Sequence, residues 1–202
     1  LLLEGFYTRL NHVFVLEEIG KDEEHNAVIK ERRNGQGAEV AGVTVEGKVA
    51  YLSLVQLQAG VTWQKSHYTR PEKWSKDSSV PAEKRIFRTP DWYGYFTATY
   101  SPVKPLNIAL SGTYTGSMIV QHMKGYIPKD MAVTTPDFFD MNLKISYDFS
   151  LYKFITLQLN AGVQNIFNAY QRDFDQGKER DSGYIYGSSM PRSYFAGAKL
   201  MF

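Results

Sequence analysis

Apolar and polar residues alternate along most of this chain with the period of a β-strand, in which successive side chains point to opposite sides of a sheet. The clearest segment places Phe139, Met141, Leu143, Ile145, Tyr147 and Phe149 on one face and Asp140, Asn142, Lys144, Ser146 and Asp148 on the other. A short turn follows, and then Ile155, Leu157, Leu159, Ala161 and Val163 oppose Thr156, Gln158, Asn160, Gly162 and Gln164. The same pattern sets Leu106, Ile108, Leu110 and Tyr114 against Asn107, Ser111, Thr113 and Thr115. It also sets Val55, Leu57, Ala59, Val61 and Trp63 against Gln56, Gln58, Thr62 and Gln64. Helical periodicity is nearly absent.

The pattern predicts eight strands, over residues 1–16, 26–48 (broken by a bend at Gly35–Gly37), 51–68, 91–101, 105–123, 138–149, 153–167 and 192–202. Connections at 47–50, 102–104 and 150–152 are tight, whereas those at 17–25, 69–90, 124–137 and 168–191 are longer and rich in charge, Gly and Pro. Tight turns at one end and long loops at the other describe an all-β, antiparallel, up-and-down barrel. No composition break divides the chain, so residues 1–202 read as one unit.

Alternation alone fits two surroundings. In a soluble β-sandwich the apolar face makes the core, whereas in a membrane barrel it meets lipid and the polar face lines the lumen. Three features favour lipid. Several strands exceed the usual five or six residues of globular strands. Aromatics gather near the ends of the apolar stretches, at Trp63, Tyr68, Trp92, Tyr93, Tyr100, Tyr147, Phe149, Tyr152, Phe154, Phe167 and Tyr170, as in the girdles at lipid–water interfaces. The opposite faces carry amides and charges that a wet or plugged lumen tolerates. The first strand resists assignment, because Leu1, Leu3, Tyr7 and Val13 share a face with Arg9 and Asn11, and Leu2, Phe6 and Leu10 share theirs with Glu4 and His12.

Composition narrows the function classes. A net charge of +2 gives no electrostatic case for nucleic acid. With no cysteine there is neither a disulfide framework nor a thiolate metal site. No apolar run approaches the roughly 20 residues of a membrane helix, but membrane strands need only about 9–11 and alternate. The opening "LLLEGFYTRL" lacks the features of a signal peptide and reads as a strand already under way, which suggests that residue 1 is not a natural beginning.

The ending carries a resemblance. "LNAGVQNIFNAYQRDFDQGKERDSGYIYGSSMPRSYFAGAKLMF" combines a strand closing on Gly162-Val-Gln-Asn165-Ile-Phe167, an Asp- and Gly-rich loop, Pro191-Arg192 and a last strand to Phe202. It resembles the carboxyl-terminal end of TonB-dependent outer-membrane receptors, in loop style those of the Bacteroidetes type. The hairpin sequence around Gly42 and Glu46 and the stretch "LNIALSGTYTGSMIV" are similar to others of that family. Ser188 departs from it, standing where proline would follow Gly187. The resemblance implies a barrel of about 22 strands around an N-terminal plug, of which this chain supplies about the last eight strands. It implies energy-dependent import, across the bacterial outer membrane, of a scarce, bulky ligand such as a ferric siderophore, haem or cobalamin. It further implies as partners the outer-membrane lipid, the remaining strands and plug, the TonB complex acting through an upstream region, and the outer-membrane insertion machinery. That machinery would read the last strand, Tyr194, Ala196, Ala198, Leu200 and Phe202.

Candidate chemistry is sparse. His67 and His122 fall near the loop ends of strands, where contact with haem or a metal chelate is conceivable; loop or interface histidines are the plainer reading. Asp173, Asp175, Glu179 and Asp181 have spacings reminiscent of a calcium loop but lack its sixth-position glycine and twelfth-position glutamate. A solvated loop with internal salt bridges is the plainer account there too. No nucleophile elbow, phosphate-cradling loop or zinc spacing is present, so neither an enzyme nor a cofactor is expected. Two other functional classes stay open, a complete small eight-stranded barrel serving as anchor or adhesin, and a soluble β-sandwich binding module. As part of a larger barrel, the isolated chain is expected to form no transporting pore and to associate through its edges.

Overall fold

The computed structural model describes residues 1–25 and 27–202. Asn26, where the second expected strand begins, lies outside the described residues. The framework is one antiparallel sheet containing β1 (Leu2–Leu10), β4 (Ala38–Tyr51), β5 (Val55–Glu72), β7 (Trp92–Val103), β8 (Leu106–Thr115), β11 (Phe138–Tyr152), β12 (Ile155–Gln164) and β13 (Ser193–Met201). They are bonded in that order, with short β6 (Glu83–Arg85) added on β5. Two small hairpins stand outside it: β2 (Phe14–Asp22) pairs with β3 (Ala27–Asn34), and β9 (Ile119–His122) with β10 (Met131–Thr134).

Each strand of the path therefore pairs with the next along it, as the up-and-down reading requires. Short turns join β4 to β5, β7 to β8 and β11 to β12, closing on the pairs Tyr51↔Val55, Val103↔Leu106 and Tyr152↔Ile155. The first turn lies later than the expected 47–50, which stay in the ladder; Leu52 takes the left-handed conformation at φ 52° to make it. The expected first strand ends early, because Asn11–Val13 leaves the sheet and β2 folds back on β3. The residues expected as the loop 17–25 are thus mostly hairpin. The predicted 105–123 strand likewise splits, with β9 leaving to pair with β10.

Register settles the face of every strand. Across the ladder Leu3, Val45, Val61, Gly94, Tyr114 and Phe139 lie side by side. Farther on, Ile145, Ala161 and Ala196 do the same. Leu1, Leu3 and Tyr7 accordingly belong to the apolar face, and Leu2, Glu4 and Phe6 to the polar one. No slip occurs between sheet neighbours in the apolar middle of the strands, where a one-residue shift would turn every side chain over.

The apolar face has nothing packed on it among the described residues. Leu57, Val61, Ile145, Leu159 and Leu200 remain 42–48% exposed at mid-strand. Among the described residues the buried apolar side chains are Ala38, Ile119, Val120 and Tyr184, none of them in the middle of the sheet. A sandwich would cover this face with a second sheet. A sheet that leaves it bare is stable only where the surroundings are themselves apolar. β11, with 15 residues, and β5, with 18, exceed what the hydrocarbon layer needs and reach past it.

Aromatic pairs mark the boundaries. Trp63 and Trp92 (centroids 6.4 Å apart), with Phe139 stacked on Phe167 at 5.6 Å, lie toward the long loops. Tyr147 and Phe149, 4.6 Å apart, lie toward the short turns with Tyr100, Tyr152 and Phe154. Three residues expected in these girdles are elsewhere. Tyr68 and Tyr93 share the face of Gln64 and Thr62, and Tyr170 sits in a loop with the Arg172 guanidinium over its ring at 5.1 Å.

Close packing within the sheet depends on glycines opposite aromatic rings. A Cβ added to Gly60 would meet Tyr95 first, at 2.8 Å, because the ring of its cross-strand partner lies over the missing side chain. Phe6 covers Gly42 in the same way, at 2.5 Å. Gly60→Ala is expected to destabilise the barrel by about 1–3 kcal/mol through overpacking, and less in a Tyr95→Ala background; additive costs in a double-mutant cycle would refute the ring contact. Leu159→Arg should cost about 2–4 kcal/mol in refolding titrations into lipid, whereas Asn160→Arg, one residue along on the polar face, should be far milder. Equal costs would reverse the face assignment.

Candidate functional site

All the long connections leave the same end of the sheet, so the chemistry that is not used to build strands collects there. Connections 73–91, 116–137 and 165–192 pack together, and most of the chain's small apolar core lies within them: Ile119 and Val120 on β9, and Tyr184. Gln171, 1% exposed, holds the last connection in shape. Its amide Nε2 donates to the Tyr184 carbonyl at 3.0 Å, and its Oε1 accepts from the Tyr186 N–H at 2.9 Å.

His122, at the end of β9, is enclosed. Its ring stacks on Tyr184 at 3.6 Å and 6°, and Nε2 lies 2.9 Å from each oxygen of Asp175. The imidazole is 10% exposed and the carboxylate 2%, so both ring face and nitrogen are engaged. His67 is elsewhere, on the apolar-face side of β5 and beyond Trp63, in a row with Arg9 and Glu39. Its Nε2 is 3.7 Å from Glu39 Oε2, and Glu39 Oε1 is 3.5 Å from the Arg9 guanidinium. The structure therefore does not bring the two histidines together.

The carboxylates of the Asp-rich loop face different partners. Asp173 accepts from the Tyr184 and Tyr186 hydroxyls at 2.8 and 2.6 Å. Asp175 takes His122 and the Asp181 N–H, while Asp181 accepts from the N–H groups of Met123 and Gly183. Among the described residues no three metal-ligating side chains converge. Burial works to raise the Asp173 carboxyl, but the hydroxyls of Tyr186 and Tyr184 outweigh it and hold the group below its ordinary range. Burial, then the hydrogen bond to Asp173 and the charge behind it, pushes Tyr186 up to about 12 and Tyr184 up as well.

Several of these contacts were not visible in the sequence. Arg88, at φ 59°, donates its backbone N–H to the Ile119 carbonyl at 2.8 Å and its guanidinium to the carbonyls of Ile185 and Gly183. Ser75 Oγ donates to Asp130 at 2.6 Å. Asn165, in the motif at the end of β12, is 4% exposed and clasps the base of its loop. Its side chain bonds Ala169 and the Met190 carbonyl, and its N–H reaches Asn142 Oδ1. Ser188 makes its own turn, bonding Met190 through its hydroxyl. Only the i, i+2 pairing of Tyr184 and Tyr186 hinted at a shared partner.

Below the loops the polar face holds an open recess of about 450 Å³ lined by Thr44, Glu46, Thr62, Tyr93, Tyr95 and Thr113, among others. Gln58 donates to Glu46 at 2.8 Å and to the Tyr95 hydroxyl at 3.1 Å, and Thr44 and Thr62 share a bond of 2.9 Å. With these polar groups bonded to one another, the accessible lining of the recess is mostly carbon, from tyrosine rings, threonine methyls and Pro90, and among the described residues lining it no nucleophile is set beside a base.

Residues 2–166 match the family model described as TonB dependent receptor-like, beta-barrel. Among solved structures, the ferric-catecholate import receptor Fiu of E. coli K12, in its closed form, is similar with a TM-score of 0.60 and 20% identity over 98% of this chain and 25% of its own. The FpvAI–pyocin S2 complex gives 0.59 at 14% identity, covering 98% and 23%. A mutant of the ferric enterobactin receptor PfeA of Pseudomonas aeruginosa gives 0.55 at 17%, covering 98% and 28%. The chain thus spans about a quarter of the length of these structures, and at such identities they speak for the fold alone. No curated protein matches.

The titrations set a pH window for the loop 165–192. Asp173, depressed in the native state, adds stability that is complete above the ordinary 3.8 and lost as pH falls through its lower native value. The two tyrosines, raised, add stability complete below the ordinary 10.0 and lost as pH climbs through their native values. Protease resistance of this loop should therefore hold between those limits and fail outside both. A loop equally resistant well above pH 10.0 would show that the hydroxyl bonds to Asp173 contribute nothing.

Proposed function

From the premise that this chain belongs to the TonB-dependent receptor-like β-barrel family, we propose that residues 1–202 form the C-terminal portion of a transmembrane barrel that imports a scarce, bulky ligand across the outer membrane. The observation that carries the reading is an eight-strand antiparallel path whose apolar face is uncovered and whose outer strands, β1 and β13, do not pair with each other. Unpaired N–H and C=O groups cannot persist in hydrocarbon, where no water satisfies them. The two edges call for further strands of the same barrel. The polar face, which carries Thr44, Glu46, Gln58 and Thr62, calls for a plug or ligand on the inside. A small barrel of eight strands would need β1 against β13, and a sandwich a second sheet on the apolar face; neither arrangement occurs among the described residues.

The ligand class follows from resemblance. Two of the similar structures are a ferric-catecholate import receptor and a ferric enterobactin receptor, which favours a ferric siderophore over haem or cobalamin. His67 and His122 are offered as ligand contacts only in a conformation that frees His122 from Asp175. The other partners are the membrane lipid, the TonB complex acting through a region upstream, and the insertion machinery, which reads the face Tyr194, Ala196, Ala198, Leu200 and Phe202.

Cells carrying the full-length gene should accumulate iron from a ferric siderophore, and a protonophore or loss of TonB should abolish the uptake. Accumulation indifferent to both would sink the importer reading. Deleting Phe202 should lower the yield of heat-modifiable, membrane-inserted barrel; an undiminished yield would remove the assembly role.

A further inference from the structure

Each of the three packed connections is bonded to both of the others. Connection 73–91 reaches 116–137 through the Arg88 N–H on Ile119 and through Ser75 on Asp130. It reaches 165–192 through the Arg88 guanidinium on the carbonyls of Gly183 and Ile185. Connection 116–137 joins 165–192 through His122 on Asp175 and Tyr184, and through the Met123 N–H on Asp181. The triangle is closed, so freeing any one loop breaks bonds to two. Arg88 stands at its centre in a backbone conformation that non-glycine residues keep only where surroundings over-determine it.

This unit leans over the polar face. Phe138 shares that face with Thr115, and the Tyr186 ring lies 6.0 Å from it. Phe138 also fills the space that a side chain on Gly187 would need, at 2.6 Å. From the other side Pro90 lines the recess, its carbonyl taking the Gln64 amide at 3.0 Å. The β2–β3 hairpin and the residues after it are tied to the end of β5, where Arg33 and the Gln36 N–H bond Glu72.

We propose that connections 73–91, 116–137 and 165–192 form one lid over the mouth of the polar face, opening and closing as a unit with Arg88 as its keystone. The gating role rests on the importer reading; the coupling does not. A lid of this kind admits a ligand only when all three loops yield together, because opening one leaves buried polar groups of the other two unpaired.

The test is hydrogen–deuterium exchange, read by mass spectrometry, on the full-length protein in detergent micelles. Asp175→Asn keeps the shape and removes the charge that holds His122. Exchange should rise by at least about tenfold in all three loops, including 73–91, which Asp175 does not touch, and stay unchanged in β11 and β12. Arg88→Lys, which keeps the charge but not the two-pronged grip, should give the same pattern, and heat-modifiability confirms that each barrel is folded. If 73–91 keeps its wild-type rate while the other two loops exchange faster, the loops move separately and the proposal fails. Coupled exchange in a protein that takes up no ligand would leave the lid standing and count against the importer reading alone.

Discussion

A strand that crosses hydrocarbon must find every hydrogen-bond partner in another strand, since neither water nor a side chain is there to substitute. That requirement governs this structure more than burial does. The ladder runs without a slip through the apolar middle of all eight strands of the path, and its irregularities sit at the ends, near Ser150 and Tyr152 or between Tyr100 and Val103. Apolar side chains are then free to point outward, and Leu57, Val61 and Leu159 stay exposed in the isolated chain without penalty in lipid. Ordinary core packing, displaced from the sheet, reappears among the loops around Ile119, Val120 and Tyr184.

The two faces do different work. Outside, demand for shape is slight because lipid conforms to any relief, and aromatic rings anchor the two boundaries. Inside, close contact matters. Tyr95 lies over Gly60 and Phe6 over Gly42, so each ring takes the space that a side chain on its cross-strand partner would need, and Tyr95 and Gly60 both line the recess. The Gln58–Glu46–Tyr95 bonds fix the polar groups of that recess in place, so a partner meets them already oriented.

The loops reverse the usual relation between connection and scaffold. Carboxylates at Asp130, Asp173, Asp175 and Asp181 each accept at least two hydrogen bonds, and Asp130, Asp175 and Asp181 each hold one partner from another connection, Ser75, His122 and the Met123 N–H. Charge-assisted bonds of this kind are strong and leave costly vacancies when broken. A connection built on them behaves as a packed body. The Asp-rich stretch is mostly exposed, as a solvated loop is, but Asp175 and Asp181 turn inward from it to hold His122 and the Met123 N–H.

The fold was largely legible in the sequence, because alternation with period two is a local property and each residue declares its face by parity alone. The faces of the four clearest strands, the antiparallel meander and the girdle residues Trp63, Trp92, Tyr147 and Phe149 followed from it. The face of β1 did not. Its residues are mixed in polarity on both sides, and only pairing with β4 placed Leu3 beside Val45 and Glu4 beside Thr44. The breaks at Asn11–Val13 and before Ile119 were equally hidden, since β2 and β9 continue the alternation while changing partners. The site was the least legible part. His122 meets Asp175 across 53 residues and Arg88 meets Ile185 across 97. No local pattern encodes such distances, because loops carry no period. Sequence parity fixed which side of the sheet most side chains occupy; only the folding of the long connections onto one another decided what His122, Asp173 and Arg88 touch.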